Sequence, residues 1–176
     1  MSSYTFERLS KHHDRDRAGV DCGLPVLNRY LQRQASQDVR KHVATVWVMA
    51  DEVEPSRVVG YFSLASFAVG VDQLDPKLAK GLPRYDPIPA IILGRLARDF
   101  RFPGSGKLLM MHAMKQAWES ALNLAAAVLV VDAKDERSSH FYTRFGFVSV
   151  IDSPQRMYVP MRNVGRFVDS TIESSD

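Results

Sequence analysis

The 176-residue sequence contains one cysteine, Cys22, and no long hydrophobic run. A single thiol excludes an internal disulfide framework and makes a structural zinc site implausible. The longest apolar stretch, Leu124–Val131, is far shorter than the roughly 20 residues that a membrane-spanning helix needs. The first residues carry no apolar signal region. These absences predict a soluble protein of the cytoplasm.

Several other kinds of site are also missing. The glycine turn near residue 104 is not followed by the Lys-Ser/Thr ending of a nucleotide P-loop. No acidic residue and parallel repeat follow it, as a dinucleotide site would require. Cys22 has no identifiable base nearby and is expected to pack rather than react. No metal site is expected, because no metal-ligand spacing links the histidines His12, His13, His42, His112 and His140.

The composition that remains is that of an ordinary folded domain, with 45% hydrophobic and 24% charged residues. We predict one domain over residues 1–165 and a polar tail over 166–176. The fold class is α/β (α+β), with a single mixed, mostly antiparallel sheet and helices on both faces. The predicted elements are strand Tyr4–Leu9, loop His12–Arg17, helix 25–40, strands Val43–Ala50, Val58–Ala68 and Ala90–Ala97, helix 105–122, strand Ala125–Val131, helix Glu136–Arg144, and strands Phe147–Ile151 and Met157–Met161.

Positive charge is concentrated in two places, although the net charge is only +3. Residues 94–118 hold five lysines and arginines and a single acidic residue, Asp99. Such a cluster favours a compact anion or a nucleic-acid backbone as a partner. The predicted helix 25–40 carries Arg29, Arg33, Gln37 and Arg40 on one face. That face is either a solvated helix surface or a stripe that follows phosphates.

The most informative segment is Leu93–Met114, in which a strand runs into a glycine turn and a helix follows at once. Glycine lets a ligand approach the backbone closely, and a helix N-terminus attracts anions. Two glycines alone also fit a tight strand–helix connection. The spacing Arg101-x-x-Gly104-x-Gly106 between a strand and a helix is more specific for an anion cradle.

This segment resembles the pyrophosphate-binding loop of the GNAT acetyltransferase superfamily, whose pattern is Gln/Arg-x-x-Gly-x-Gly/Ala. Downstream, Val130–Asp135 and the Phe-Tyr-x-x-x-Gly-Phe run at Phe141–Phe147 resemble the superfamily's fifth strand and the helix and turn after it. Asp132, at the end of that strand, either contacts the cofactor region or caps the next turn, and the cap is the expected role.

A closer resemblance is to the GNAT toxins of bacterial toxin–antitoxin modules, and it covers residues 5–161. It is carried by Asp21-Cys22-Gly23, Leu27–Leu31 with Ala35 and Gln37, Val59–Leu64, and Leu93–Ala97. The chain departs from that pattern in two places. The stretch Asp99–Gly104 is two residues shorter, and Ala44-Thr45-Val46 lacks an expected arginine.

The resemblance implies that acetyl-CoA is the co-substrate and that Tyr142 protonates the leaving thiolate. Its alternative role is to pack the short helix against the sheet. The strand Leu96–Arg98 would pair with the pantetheine arm, and a backbone N–H there would polarise the thioester carbonyl. The full set implied for acetyl-CoA is Leu96, Ala97, Arg98, Arg101, Phe102, Pro103, Gly104, Ser105, Gly106 and Lys107.

The acceptor implied by the toxin resemblance is the α-amino group of aminoacyl-tRNA, and its acetylation would block translation. The candidate tRNA-binding residues are Arg29, Arg33, Arg40 and Arg95. The implied partners are a ribbon-helix-helix antitoxin and a second copy of the chain, with DNA bound only through the antitoxin complex. Two alternatives remain open: a GNAT enzyme for a small-molecule or protein amine, and an antitoxin-binding co-repressor.

Overall fold

The structure, a computed structural model, describes residues 3–9, 17–82 and 85–173. Its strands are β1 Tyr4–Arg8, β2 Thr45–Asp51, β3 Val58–Val69, β4 Ile88–Arg98, β5 Val128–Asp132, β6 Val148–Val150 and β7 Ser153–Pro160. Within these described residues the strands form one seven-stranded sheet in the order β1-β2-β3-β4-β5-β7-β6. The β4–β5 pair is parallel, whereas β1–β2, β2–β3, β5–β7 and β6–β7 are antiparallel. The predicted mixed, mostly antiparallel sheet with helices is confirmed.

The helices are α1 Pro25–Arg29, α2 Ala35–Arg40, α3 Pro76–Ala79, α4 Ser105–Leu124, α5 Glu136–Thr143 and α6 Met161–Glu173. A π-helical turn, Tyr30–Gln34, joins α1 directly to α2, so the helix predicted over 25–40 is one continuous helical segment. Of the loop predicted at His12–Arg17, only Arg17 lies among the described residues, where it begins a 3-10 turn. None of the helices described is long and apolar enough to cross a membrane.

The described residues fall into two compact units. The first lies within Met1–Ala65 and Gly94–Ala113. Its core joins the apolar face of the helical segment 25–40 to β2 and β3, through Leu27, Leu31, Ala35, Val46, Val48, Val58 and Tyr61. Arg17 is buried beside this face, and its Nη1 donates to the carbonyl oxygen of Leu31 at 3.1 Å and to Ser36 Oγ at 2.7 Å.

The second unit lies within Ser66–Leu93 and Met114–Asp176. Its core joins the first half of β4 to β5 and β7, through Ile88, Ala90, Val128, Val130 and Tyr158. The apolar residues Val128–Val131 of β5 are all buried, as is typical of a strand in which apolar residues do not alternate with polar ones.

One sequence prediction about the helices is wrong. The three- and four-residue spacing of apolar side chains in α4 predicts Leu108, Met111, Met114, Trp118, Ala121 and Leu122 as its buried side. The residues buried in the structure are instead Leu109, Met110, Ala113, Met114 and Ala117. The helix is apolar almost all round its first half, so periodicity alone does not fix which face is buried.

The predicted polar tail 166–176 is helical as far as Glu173, because α6 continues through it. The buried residues Met161, Val164 and Val168 recur at three- and four-residue spacing. Gly165 lies against Trp118 so closely that a Cβ would come within 2.8 Å of the indole ring. Residues 174–176 of the predicted tail lie outside the described residues.

Candidate active site

Strand β4 has a parallel partner along only part of its length. Its register with β5 begins at Ala90–Val128 and ends at Leu93–Val131. The strand nevertheless continues to Arg98. Beyond Leu93, β5 no longer pairs with β4. Along Gly94–Arg98, one row of backbone N–H and C=O groups therefore has no strand partner among the described residues. Such an open edge can accept an extended ligand as an added strand.

The open part of β4 leads directly into the glycine turn. Gly104 has φ of +85°, a conformation that favours glycine, and α4 begins at the next residue. The N–H of Phe102 already donates to the carbonyl oxygen of Asp99 at 3.1 Å, and the N–H of Ser105 donates to Phe102 at 3.4 Å. Pro103 has no N–H to offer.

Three amides of this turn remain for a ligand. The N–H groups of Gly104, Gly106 and Lys107 donate to no other group in the described parts of the chain. Unpaired N–H groups at a helix N-terminus, together with the helix dipole, bind anions. The cradle predicted over Phe102–Lys107 therefore narrows to these three donors.

The charges around the turn also favour an anion. The first turn of α4 contains no acidic residue. Nη1 of Arg98 lies across the same turn and donates to the carbonyl oxygens of Asp99 at 3.2 Å and of Phe102 at 3.3 Å. A cation next to a helix N-terminus is unfavourable by itself. A bound phosphate would compensate the positive charge of both the Arg98 guanidinium and the N-terminus of α4.

An ion pair with a buried carboxylate shapes the turn. The side chain of Asp99 is fully buried, whereas that of Arg101 is 54% exposed. Asp99 accepts hydrogen bonds from the backbone N–H of Arg101 at 2.9 Å, from its Nε at 2.8 Å and from its Nη2. It also accepts the backbone N–H of Asp21 at 3.0 Å.

The hydrogen bonds determine the ionisation of Asp99. Burial by itself would raise the pKa of this carboxyl group. The donors from Arg101 and Asp21 outweigh burial, so the pKa lies below its usual value. Arg101 in turn has its pKa raised by Asp99. The pair is therefore charged on both sides at neutral pH.

Arg101 was predicted to assist pyrophosphate binding, but most of its guanidinium already has partners. Nε and Nη2 both donate to the Asp99 carboxylate, and Nη2 also donates to the carbonyl oxygen of Gly19 at 2.7 Å. Only Nη1 has no hydrogen-bond partner among the described residues. The side chain therefore ties the glycine turn to the segment that precedes α1.

The candidate tRNA-binding arginines are divided between the surface and a half-buried position. Arg29, Arg33 and Arg40 are exposed along the helical segment 25–40. Arg95 is half-buried on β4, and its guanidinium carbon lies 3.6 Å from the ring centroid of Tyr30. Arg95 is therefore brought against the same helical segment that carries the other three.

Tyr142 belongs to the second unit, where the Phe-Tyr-x-x-x-Gly-Phe motif fixes its position. The carbonyl oxygen of Tyr142 accepts the N–H of Phe145 at 2.9 Å and that of Phe147 at 3.4 Å. Gly146 allows this turn with φ of +89°. The rings of Tyr142 and Phe147 pack with centroids 5.7 Å apart.

The chemical state of Tyr142 follows from this packing. Tyr142 is 8% exposed, and burial raises the pKa of its phenol to about 12. Its hydroxyl has no hydrogen-bond partner in the part of the chain that is described. The phenol is therefore protonated at neutral pH, with its O–H not committed to another protein group, as a proton donor must be.

The prediction that Asp132 caps the turn after β5 is wrong. Its carboxylate instead binds Arg156 on β7, at 2.7 and 2.9 Å. Asp135 caps α5, because its side chain accepts the N–H of Ser138 at 2.7 Å. Cross-strand pairing of Asp132 with Arg156 is a long-range contact that single-sequence reasoning could not supply.

Two important residues were missed from the sequence. Asp99 is the single acidic residue in a basic segment and lies two positions before Arg101, which was a usable signal. Tyr30 gave none, because its spacing marks it only as a core residue. Of the side chains set aside as non-catalytic, Cys22 is half-buried against the first core and His140 is exposed. No metal-binding group of three His, Cys, Asp or Glu exists among the described residues.

The chain matches no protein-family model. It is 27% identical to a tRNA-acetylating toxin of Mycobacterium tuberculosis over 165 residues, which cover 93% of this chain and 96% of the relative. It is 23% identical to a probable toxin TacT of Sinorhizobium fredii over 158 residues, which cover 85% and 87% of the two chains. The resemblance seen in the motifs therefore extends over nearly the whole sequence.

Solved structures share the fold. AtaT in complex with acetyl-methionyl-tRNA superposes with a TM-score of 0.84 and 27% identity, covering 94% of this chain and 99% of that one. A tyrosine-to-phenylalanine mutant of KacT gives a TM-score of 0.85 at 24% identity, covering 93% and 98%. The AtaT–AtaR complex has also been solved with acetyl-CoA (25% identity, TM-score 0.75) and with DNA (26%, 0.73). In sequence and in fold, this chain resembles the acetyltransferase toxins.

Proposed function

We propose that this protein is an acetyl-CoA-dependent N-acetyltransferase that modifies the α-amino group of aminoacyl-tRNA and thereby blocks translation. One observation carries the proposal. Among the described residues, strand β4 has no β5 partner from Gly94 to Arg98, and it runs directly into a turn with three N–H groups that donate to no protein group. Its similarity to a tRNA-acetylating toxin and to tRNA-bound AtaT supports the choice of acceptor.

The residues of the first unit fit acetyl-CoA. The N–H groups of Gly104, Gly106 and Lys107 would bind its pyrophosphate, with the charges of Arg98 and Lys107 beside them. The open backbone of Leu96–Arg98 would pair with the amides of the pantetheine arm. A backbone N–H of this strand would polarise the thioester carbonyl. When bound, acetyl-CoA supplies the acetyl group as a thioester.

The acceptor amine needs little help from the protein. An α-amino group has a pKa of roughly 8, and the neighbouring ester lowers it, so an appreciable fraction is neutral in the cell. The neutral nitrogen attacks the thioester carbonyl carbon, the C–N bond forms, and the C–S bond breaks. The nitrogen loses one proton to solvent.

Tyr142 is the proposed general acid for the leaving sulfur. Its hydroxyl gives a proton to the thiolate as the C–S bond breaks, and the phenolate recovers a proton from solvent. Two features support this role: the O–H has no protein partner among the described residues, and its raised pKa keeps the proton in place at cellular pH.

The acceptor tRNA would lie against the helical segment 25–40. Arg29, Arg33 and Arg40 present exposed guanidinium groups that suit phosphates at a range of positions. Arg95 is held in place by Tyr30 and would bind the acceptor end. Binding through these groups should weaken steeply as salt is added, because it depends on counterion release.

The proposed partners are a cognate antitoxin of the ribbon-helix-helix class and a second copy of the chain. The AtaT–AtaR complexes support the antitoxin, and the site of reaction would be the cytoplasm, where charged tRNA is found. Co-expression with a candidate ribbon-helix-helix antitoxin, followed by mass measurement of the purified complex, tests both partners. A lone monomer that captures no antitoxin would contradict them.

Labelled acetyl-CoA provides the main test. We expect label to pass to charged tRNA and not to the same tRNA after deacylation. Free amino acids, polyamines and a lysine-rich peptide serve as competing acceptors in parallel reactions. Transfer to one of these acceptors but not to charged tRNA would establish the alternative enzyme and reject the proposal.

A co-repressor role is a second candidate, because a similar toxin–antitoxin complex is bound to DNA. In that role the protein would strengthen binding of its antitoxin to operator DNA without any chemistry. Gel-shift titrations with antitoxin alone and with the Tyr142→Phe complex test it. The role requires tighter DNA binding by the complex, whether or not Tyr142 is present.

A further inference from the structure

We infer that Asp99 is a positioning residue for acetyl-CoA, which sets the phosphate-binding turn through Arg101. The inference rests on the acetyl-CoA part of the proposed function. It assigns Arg101 chiefly to a contact within the protein, instead of a direct contact with phosphate.

Asp99 begins the turn directly after β4 ends at Arg98. Its own N–H donates to the carbonyl oxygen of Val59 on β3 at 2.7 Å, so its backbone position is fixed. Its carboxylate accepts the backbone N–H of Arg101, two residues later, and bends the chain back on itself. Its carbonyl oxygen accepts the N–H of Phe102. The chain therefore approaches Gly104 in a direction that Asp99 determines.

The side chain of Arg101 connects this bend to the segment before α1. Its Nε and Nη2 hold the Asp99 carboxylate, and Nη2 also donates to the carbonyl oxygen of Gly19. Two further hydrogen bonds reinforce the connection: the N–H of Asp21 donates to the Asp99 carboxylate at 3.0 Å, and the N–H of Phe100 donates to the carbonyl oxygen of Asp21 at 2.9 Å. The turn is therefore held from both sides before any ligand binds.

Burial makes the Asp99 carboxylate hard to replace. A fully buried carboxylate needs all of its hydrogen bonds, and here each donor is an N–H group. An asparagine would present an NH2 group to one set of those donors and would leave them without an acceptor. Asp99→Asn should therefore loosen the turn and release Arg101, although it replaces only one carboxylate oxygen by an NH2 group.

The two possible roles of Arg101 predict opposite results for this variant. If Arg101 is a direct phosphate ligand, releasing it from Asp99 leaves acetyl-CoA binding unchanged or makes it tighter. If Asp99 and Arg101 together position the amides of Gly104, Gly106 and Lys107, acetyl-CoA binding weakens. We expect the KM for acetyl-CoA to rise about tenfold, the equivalent of roughly one lost hydrogen bond.

A truncated donor separates positioning from general damage. S-acetyl-pantetheine carries the thioester and the pantetheine amides but has no pyrophosphate, so it does not use the turn. In Asp99→Asn, kcat/KM for this donor should stay within about twofold of the wild-type value, whereas kcat/KM for acetyl-CoA falls about tenfold. Equal losses with both donors, or no loss with acetyl-CoA, would overturn the inference.

A second variant covers the case in which Asp99→Asn does not fold. Arg101→Lys keeps a positive charge beside the buried carboxylate but cannot form the forked contact. The same selective loss with acetyl-CoA is expected. A direct phosphate ligand would instead tolerate this change with little loss, because lysine still binds phosphate as a point charge. Asp132→Asn is the matched control, because it removes an equally bidentate Asp–Arg pair in the second unit. For both acetyl donors, kcat/KM of Asp132→Asn should equal that of the wild type.

Calorimetric titration of wild type and Asp99→Asn with acetyl-CoA keeps this inference separate from the choice of acceptor. A wild type that binds acetyl-CoA but does not modify charged tRNA rejects the proposed acceptor, and the ratio of the two affinities still decides the role of Asp99. A wild type that modifies charged tRNA, with equal affinity in the variant, overturns the positioning role alone.

Discussion

The guanidinium of Arg95 lies over the ring of Tyr30, with its central carbon 3.6 Å from the ring centroid. The ring is buried, and its hydroxyl donates to Asp38 at 2.9 Å. Burial first, and then the hydrogen bond to Asp38, raise the pKa of Tyr30 to about 12. The neutral ring of Tyr30, fixed by its hydrogen bond to Asp38, thus holds the Arg95 guanidinium where the helical segment 25–40 meets β4.

This contact predicts a difference between two variants of Tyr30. Tyr30→Leu removes the ring that holds Arg95, and the KM for charged tRNA should rise about fivefold, within the range of a partly desolvated cation–π contact. Tyr30→Phe keeps the ring and should stay within about twofold. Steady-state kinetics with a single charged tRNA measures both. Equal effects of the two variants would show that the ring does not position Arg95.

Tyr142→Phe removes one hydroxyl that has no protein partner among the described residues. We expect kcat to fall about 100-fold or more, which is the usual contribution of a positioned proton donor. The thermal midpoint should change little, because no hydrogen bond within the described residues is lost. Turnover within threefold of wild type would reject Tyr142 as the acid, and a large drop in the midpoint would point to packing instead.

The pH profile tests the same residue without a mutation. Burial raises the pKa of Tyr142 to about 12, so the acid form persists throughout the range in which enzymes are assayed. The acceptor amine becomes neutral as pH rises through roughly 8 or somewhat below. We expect kcat/KM to rise with pH and then to stay level up to about pH 10. A descending limb near pH 9 would assign the acid role to another group.

Gly60 is required by a close approach between β3 and β4. A Cβ at this position would lie 2.9 Å from the carbonyl oxygen of Ala97 and 3.3 Å from Cα of Arg98. Gly60→Ala should therefore displace the strand proposed to bind pantetheine, lowering stability by about 1–3 kcal/mol and raising the KM for acetyl-CoA. Gly19→Ala, where a Cβ meets nothing within 4 Å, is the control and should melt as the wild type does.

The stability contributed by Asp99 should depend on pH in a defined direction. Its pKa in the folded protein is lowered, because the hydrogen bonds it accepts outweigh its burial. A carboxyl group of this kind stabilises the fold above its unfolded pKa, roughly 3.9, and loses that contribution as pH falls through the folded value. Asp99→Asn should therefore melt well below the wild type at pH 7. The difference should shrink below about pH 4, and a constant difference would contradict the assignment.

The sequence was sufficient for the sheet and for most element positions, because these depend on local patterns. The apolar run of β5 and the spacing of Leu27, Leu31 and Ala35 each predicted what the structure contains. The buried face of α4 could not be predicted, since apolar residues surround its first half. The residues of the candidate site could be predicted only where they belong to a sequence motif. The burial of Asp99 and the stacking of Arg95 on Tyr30 depend on residues distant in sequence, which no single-sequence pattern reports.

The loss of the β5 partner along β4 has a consequence for the aggregation of the protein as well as for its chemistry. From Ala90 to Leu93 the strand is paired with β5, and from Gly94 to Arg98 that register leaves a row of backbone groups without a strand partner among the described residues. Unpaired strand edges are sites of self-association. On the proposed function, the molecule that donates the acetyl group also covers this edge. The supply of a central metabolite would then govern how well the protein resists aggregation, in addition to how fast it works.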